Sequence, residues 1–210
     1  MPRPRLNRRR QVNSVVVDNN REAILAAIQM MESGDAAGAE KHFKKILKSK
    51  PKNLDANINL AILYAQQAQF GRALRHLRTV VAQNDKIALA HHLTGDCLLG
   101  LRKPEESARA YQRAVNIDTK LSDCWFNLGL MRREIKELDS AVAAFKKVIE
   151  LAPDFSKAHE QMGLTLIETG NYREGLAALA KGTGFIAFDN KGSGPYRIVT
   201  SLTTLRNADK

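Results

Sequence analysis

The sequence contains few cysteines and no long apolar run. Cys97 and Cys124 are the only two cysteines in 210 residues and form no C-x-x-C pair, so a disulfide framework is excluded. No run approaches the roughly 18 apolar residues that span a bilayer. The apolar run at residues 15–17 is shorter than the about 7–15 residues of a secretory signal. We therefore expect a cytoplasmic protein without a transmembrane segment; a disulfide between the two cysteines is the less favoured alternative.

The sequence also lacks the residue patterns of common enzymes and cofactor sites. The glycine pairs Gly182/Gly184 and Gly192/Gly194 match neither G-x-x-x-x-G-K-[ST] nor G-x-G-x-x-G, and they lie in no βαβ unit. No cysteine and histidine have the spacing of a zinc site. No Ser/His/Asp set stands in a recognisable context. We therefore expect no enzyme, no cofactor and no metal site.

Positive charge is concentrated outside the centre of the chain. The formal net charge is +11, and residues 1–13 carry no acid and five arginines, namely Arg3, Arg5, Arg8, Arg9 and Arg10. The composition and the missing helical periodicity predict a disordered basic arm over residues 1–19. Its arginines are candidate contacts to the phosphates of RNA, DNA or an anionic membrane. The alternative interpretation is a solubilising or partner-specific tail.

The centre of the chain repeats with a period of 34 residues. The clearest unit covers residues 122–155, and its marked positions are Trp125, Leu128, Gly129, Ala141, Phe145 and Pro153. Two small residues recur at its eighth and twentieth positions, in the pairs Ala27/Ala39, Ala61/Ala73, Gly95/Ser107, Gly129/Ala141 and Gly163/Gly175. Small residues there allow two antiparallel helices to approach closely, while the large apolar residues fill the space beside them.

This pattern resembles the tetratricopeptide repeat (TPR), which reads W-x2-L-G-x2-Y, then A-x3-F, then P. The resemblance covers five units, at residues 20–53, 54–87, 88–121, 122–155 and 156–182. It implies an all-α, right-handed helical-repeat solenoid of tandem helix-turn-helix units, whose stacking buries one continuous core. Arg132 stands where the family has Tyr, and His159 occupies the place of Trp125. We interpret His159 as a residue that packs between helices.

The tail at residues 183–210 has a different pattern. Two apolar runs, residues 185–188 and 196–199, are separated by Gly, Asn and Pro, which indicates a strand-turn-strand. Because an isolated hairpin is only marginally stable, we expect it to dock on the last helices or on a partner. The preferred interpretation is that it caps the open end of the solenoid.

The resemblance also implies a partner site, because the first helix of each TPR pair lines a concave groove. The residues at the groove positions are Ile58, Asn59, Ile62, His92, Asp96, Phe126, Asn127, Leu130, Arg133, Lys157 and Gln161. An Asn amide donates and accepts, so Asn59 and Asn127 suit a peptide backbone; the alternative is that they are tolerated on a solvated face. Apolar residues among these positions predict a strip for a partner helix or an apolar peptide.

Together these features predict a protein-interaction scaffold or adaptor that binds a peptide or a partner helix in the groove. The alternative is a nucleic-acid-associated protein that uses the arginine-rich arm, with the repeats recruiting a partner. Chaperone-tail binding is not expected, because Ile24 and Ile28 stand where the family's carboxylate clamp has Lys and Asn.

Overall fold

The structure, a computed structural model, describes residues 21–183. All secondary structure within this range is α-helical. Helix α1 occupies residues 21–32. The others are α2 (Ala36–Ser49), α3 (Leu54–Gln66), α4 (Phe70–Gln83), α5 (Ala88–Gly100), α6 (Pro104–Ile117), α7 (Ser122–Glu134), α8 (Leu138–Leu151), α9 (Ser156–Glu168) and α10 (Tyr172–Thr183). The predicted all-α helical-repeat fold is confirmed. The basic arm and the hairpin predicted beyond Thr183 lie outside the described residues.

The chain divides into two compact units between Leu101 and Arg102. Helices α1–α5 belong to the first unit and α6–α10 to the second, so the division falls within the third predicted repeat, residues 88–121. Between residues 21 and 183, no helix is both long and apolar enough to cross a membrane.

The odd-numbered helices end in a recurring backbone turn. A residue with positive φ follows each of α1, α3, α5, α7 and α9. These five residues are spaced 34 positions apart: Gly34, Ala68, Arg102, Lys136 and Gly170. In four of these turns the next backbone N–H bonds the carbonyl five residues earlier, as from Gln69 to Tyr64 at 2.8 Å. This is the left-handed termination that commonly ends α-helices. It turns the chain into the even-numbered helix of the same pair.

The odd-numbered helices are also fastened at their beginnings. From α3 onward, the side chain at the fourth helical position donates to the backbone carbonyl six residues earlier. The four bonds, with N···O distances of 2.8–3.0 Å, are Asn57 to Pro51, His91 to Asp85, Trp125 to Thr119 and His159 to Pro153. Three residue types therefore perform one structural task, and His159 makes the same bond as Trp125.

In the first unit, the paired helices cross at alanines. Ala61 of α3 and Ala73 of α4 are buried at the eighth and twentieth positions of their repeat. The surrounding core is formed by large side chains that are almost inaccessible, among them Phe43, Leu60 and Leu77. The alanine methyls set the distance between the helices, and the larger residues fill the space on either side.

In the second unit, glycine enters the helix crossings: Gly129 of α7 pairs with Ala141 of α8, and Gly163 of α9 pairs with Gly175 of α10. A Cβ atom on Gly129 would lie 2.6 Å from the ring of Phe145, and one on Gly163 would lie 2.7 Å from the carbonyl oxygen of Gly175. Helices α9 and α10 therefore meet backbone to backbone, and no side chain at either glycine can be accommodated without separating them.

Candidate partner-binding faces

The predicted groove residues lie on two faces, one in each unit. The first-unit face comprises Ile58, Asn59 and Ile62 on α3 with His92 and Asp96 on α5. The second-unit face comprises Phe126, Asn127, Leu130 and Arg133 on α7 with Lys157 and Gln161 on α9. Lys157 is exposed and the other ten are partly exposed. All eleven therefore retain surface that a partner can contact.

A cavity of about 480 Å³ lies beside the first-unit face, between α1 and α3. Its lining combines apolar and polar groups: Arg21, Ile24, Leu25, Ile28, Lys50, Asn53, Asp55 and Asn59. Leu25 is 57 % exposed, which is high for a large apolar side chain. Among these residues only Asn59 belongs to the predicted groove set. The α1 residues Leu25 and Ile28 were missed, although they occupy the same repeat positions as Asn59 and Ile62, 34 residues earlier.

The polar residues of the first-unit face are partly committed within their own helices. Asn59 Nδ2 donates to the carbonyl oxygen of Asp55 at 2.8 Å, which uses one of its two N–H groups. His92 Nε2 lies 3.6 Å from Asp96 Oδ1, so the two form an ion pair when the imidazole is protonated. Asn59 keeps donor and acceptor capacity for a partner's backbone.

The apolar residues of the second-unit face are largely structural. The ring of Phe126 contacts Phe145 and Phe155, with centroid distances of 5.8 and 5.2 Å. Leu130 packs against the buried cluster around Leu128. The predicted apolar strip therefore presents less free surface in this unit than the residue types indicate.

The polar residues of the second-unit face form a network across α7 and α9. Arg133 Nη1 donates to Gln161 at 2.9 Å, and Arg133 Nε donates to Glu168 at 2.7 Å. Lys136 Nζ lies 3.4 Å from the other oxygen of Glu168. The hydrogen bond from Arg133 holds the pKa of Glu168 below its usual value. Glu168 was not predicted, although it occupies the thirteenth repeat position, which is a groove position of the family.

Asn127 lies on the same face and makes no side-chain hydrogen bond with another residue of the described range. Its amide is therefore available to a partner, unlike the guanidinium of Arg133. No group of three or more His, Cys, Asp or Glu side chains within residues 21–183 is arranged to hold a metal ion.

The chain is similar in sequence to several known proteins. Two family models, both described as tetratricopeptide repeat, match residues 30–97 and 122–155. Human Protein O-mannosyl-transferase TMTC3 is 27 % identical over 125 residues, which are 59 % of this chain and 14 % of that protein. Human Antiviral innate immune response effector IFIT1 is 24 % identical over 166 residues, 79 % of this chain and 32 % of that protein. The chain thus spans a third or less of the length of these relatives.

Solved structures of similar fold match most of the described chain. The crystal structure of MamA superposes with a TM-score of 0.71 at 26 % identity, covering 74 % of this chain and 91 % of that one. The crystal structure of YrrB, described as a TPR protein with an unusual peptide-binding site, superposes with a TM-score of 0.72 at 19 % identity, covering 81 % and 90 %. Both are helical-repeat structures, in agreement with the helix order described above.

Proposed function

Since the chain is a tetratricopeptide-repeat protein, we propose that it is a protein-interaction scaffold whose first-unit face binds an extended peptide or a partner helix. The observation that carries this proposal is the cavity of about 480 Å³ between α1 and α3. Leu25 and Ile28 offer an apolar surface there, and Asn59 offers an amide beside it. Such a site accepts an apolar side chain and the backbone next to it.

The surroundings of the cavity favour a partner that is apolar and uncharged or weakly acidic. Arg21 and Lys50 line it together with one acid, Asp55. An exposed leucine on α5, Leu89, is 47 % accessible and adds apolar surface to the same unit. We expect the partner to place one or two apolar side chains against Leu25 and Ile28, because burial of such groups supplies most of the affinity of small interfaces.

The second-unit face supports a different role. Because Arg133 is held by Gln161 and Glu168, and Phe126 packs on Phe145 and Phe155, we expect it to contribute orientation more than affinity. Asn127 is the residue we expect to contact the backbone of a partner there.

Neither enzymatic nor nucleic-acid activity is part of this proposal. TMTC3 is named a transferase, but the matched segment is 14 % of that protein, and function resides in sites more than in folds. The nucleic-acid alternative depends on the five arginines of residues 1–13, which lie outside the described residues. We propose a reducing compartment such as the cytoplasm, because Cys97 and Cys124 are buried thiols that form no disulfide.

The proposal is tested by selecting peptides from a random displayed library on the immobilised full chain and measuring their Kd by calorimetry. We expect Leu25→Ser combined with Asn59→Ala to weaken binding by about tenfold or more at unchanged Tm. The matched control is Leu151→Ser, which replaces an exposed leucine of α8 and should leave the Kd unchanged. Equal affinity of the double variant and the control would exclude this face.

A further inference from the structure

A second cavity, of about 400 Å³, lies in the second unit and belongs to neither partner-binding face. Helices α8, α9 and α10 form its walls. Its lining consists of Lys146, Ile149, Glu150, His159, Met162, Leu166, Glu174, Ala177, Ala178 and Lys181. The four side chains that carry a fixed charge are two lysines and two glutamates, so the cavity has no net charge to select an ionic ligand.

The corresponding place in the first unit is filled by the protein's own side chains. Three repeats, or 102 residues, before Ala178 stands His76, and the same distance before Leu166 stands Tyr64. The rings of His76 and Tyr64 have their centroids 5.7 Å apart. His76 Nδ1 bonds Asn57 Oδ1 at 2.9 Å. Arg72, the counterpart of Glu174, lies over the Tyr64 ring at 3.8 Å.

Within the described residues, the second unit lacks the hydrogen-bond donor that His76 supplies in the first, as the contacts of His159 show. His159 is the counterpart of Asn57, and its Nε2 donates to the carbonyl of Pro153, so its Nδ1 is left as an acceptor. This Nδ1 is buried and has no hydrogen-bond partner in the described part of the chain. In the first unit the equivalent acceptor, Asn57 Oδ1, receives the N–H of His76. The open cavity and the unpaired acceptor therefore have one cause, which is alanine at position 178.

The group that fills this cavity must supply apolar surface, because the lining includes Ile149, Met162 and Leu166. The chain itself continues with such a group, because α10 ends at Thr183 and residues 185–188 read Phe-Ile-Ala-Phe. Residues 184–188, when extended, reach up to about 17 Å. The cavity runs along α10 from Glu174 to Lys181, a distance of about 10 Å. The segment is therefore long enough to fold back along α10.

We propose that residues 185–188 dock in the cavity between α8, α9 and α10. One phenylalanine ring takes the place that His76 has in the first unit and packs against Leu166 and Ala178, two residues that line the cavity. The segment carries no charge, in keeping with the balanced charges around the cavity. Its attachment two residues beyond the helix gives it a high effective concentration, so a shallow site suffices to hold it.

The test is a double-mutant cycle on the full chain, in which the stability of each variant is measured by urea unfolding. Trp125, the single tryptophan, lies in the second unit, so its fluorescence reports that unit. Phe185→Ser with Phe188→Ser should raise the unfolding equilibrium constant of the second unit by about tenfold. In an Ala178→His background, where the histidine fills the cavity as His76 does, the same pair should change it by less than about twofold. Leu202→Ser with Leu205→Ser is the matched control and should have no effect in either background.

Hydrogen exchange on the unaltered protein keeps the proposal testable if Ala178→His does not fold. The amides of residues 185–188 should exchange at least about tenfold more slowly than unstructured peptide, and they should lose this protection in the Phe185→Ser, Phe188→Ser variant. Unprotected amides overturn the proposal, as does an equal effect of the serine pair in both backgrounds. Protection that rises with protein concentration would assign the cavity to a second copy of the chain and overturn docking in cis.

Discussion

The two units use the same helix-turn-helix frame but differ in how they close the space between neighbouring even-numbered helices. In the first unit Tyr64 donates to Glu40 at 2.9 Å across this space, and Arg72 donates to Tyr64 at 2.5 Å. In the second unit, the space between α8 and α10 contains Leu166 and Ala178 and remains a cavity. The repeat therefore fixes the backbone geometry, while single side chains decide whether the space between two helices is filled or open.

The space between α6 and α8 in the second unit is bridged by a different residue. Arg132, at the position of Tyr64 in its repeat, donates to Gln112 of α6 and to the carbonyl oxygen of Ser140 at 3.4 Å. Arginine at the family's tyrosine position therefore still links the neighbouring helices, through guanidinium hydrogen bonds. Leu166 at the same position has no polar atom, so the bridge is lost there.

The largest expected effect concerns the crossing of α7 and α8. Ala141→Arg places a long charged side chain at a fully buried position of α8, where overpacking and burial of charge act together. We expect a loss of more than about 4 kcal/mol and loss of the cooperative transition of Trp125 fluorescence. Ala143→Arg, at an exposed position of the same helix, is the control and should be close to neutral. A neutral Ala141→Arg would refute the helix register.

A smaller effect concerns the glycine crossing of α9 and α10. Gly163→Ala brings a Cβ to 2.7 Å from the backbone oxygen of Gly175, so α9 and α10 must move apart. We expect a loss of about 2 kcal/mol in urea unfolding of the second unit. Gly71→Ala, where a Cβ meets nothing within 4 Å, should be neutral or slightly stabilising. Equal behaviour of the two variants would show that the contact between α9 and α10 does not require glycine at position 163.

The acid sensitivity of the first unit follows from Glu40. Hydrogen bonds from Lys44 and Tyr64 lower the pKa of this carboxyl to about 2 from 4.5. Because the folded pKa is the lower one, its contribution is complete above about pH 4.5 and is lost as the pH falls towards 2. We expect Glu40→Gln to lower the free energy of unfolding of the first unit by about 1 kcal/mol near neutral pH; the effect is small because the ion pair with Lys44 is screened by solvent. The variant should also lose less stability on acidification than the unaltered protein. The measurement is hydrogen exchange in α2 and α3, with the exposed Glu32→Gln as control; an unchanged pH profile would contradict the assignment.

The smallest effect concerns the left-handed turns after the odd-numbered helices. Ala68 has φ +56°, a conformation that costs a residue with a Cβ about 1 kcal/mol. Ala68→Gly should therefore stabilise the first unit by about 0.5–1 kcal/mol. Gly170→Ala, at φ +86°, should destabilise the second unit by a similar amount. Changes of the same sign in both thermal melts would show that these turns are not equivalent.

The fold was predictable because it depends on a periodic property. Small residues 12 positions apart and large ones between them recur five times in one phase, so each match supports the others. The starts of α3, α5, α7 and α9, at Leu54, Ala88, Ser122 and Ser156, are 34 residues apart. The periodic signal gives no warning of the division between Leu101 and Arg102.

The sites were less predictable because they depend on which neighbours a side chain meets. The register identified surface positions such as Asn59 and Asn127, but not that Arg133 is held by Glu168 or that Phe126 packs on Phe155. It also gave no sign of the cavity beside Ala178. The difference is seen only in the side-chain contacts: Asn57 bonds His76 in the first unit, whereas Nδ1 of His159 has no partner among the described residues. Such contacts do not follow from the periodicity of the sequence.

We propose the first-unit face as the principal partner site. This proposal is tested most directly by NMR of the full chain titrated with a library-selected peptide. If the peptide binds at this face, amide shifts change most around Leu25, Ile28 and Asn59, on α1 and α3. Changes confined to α2 and α4, with α1 and α3 unaffected, would contradict it.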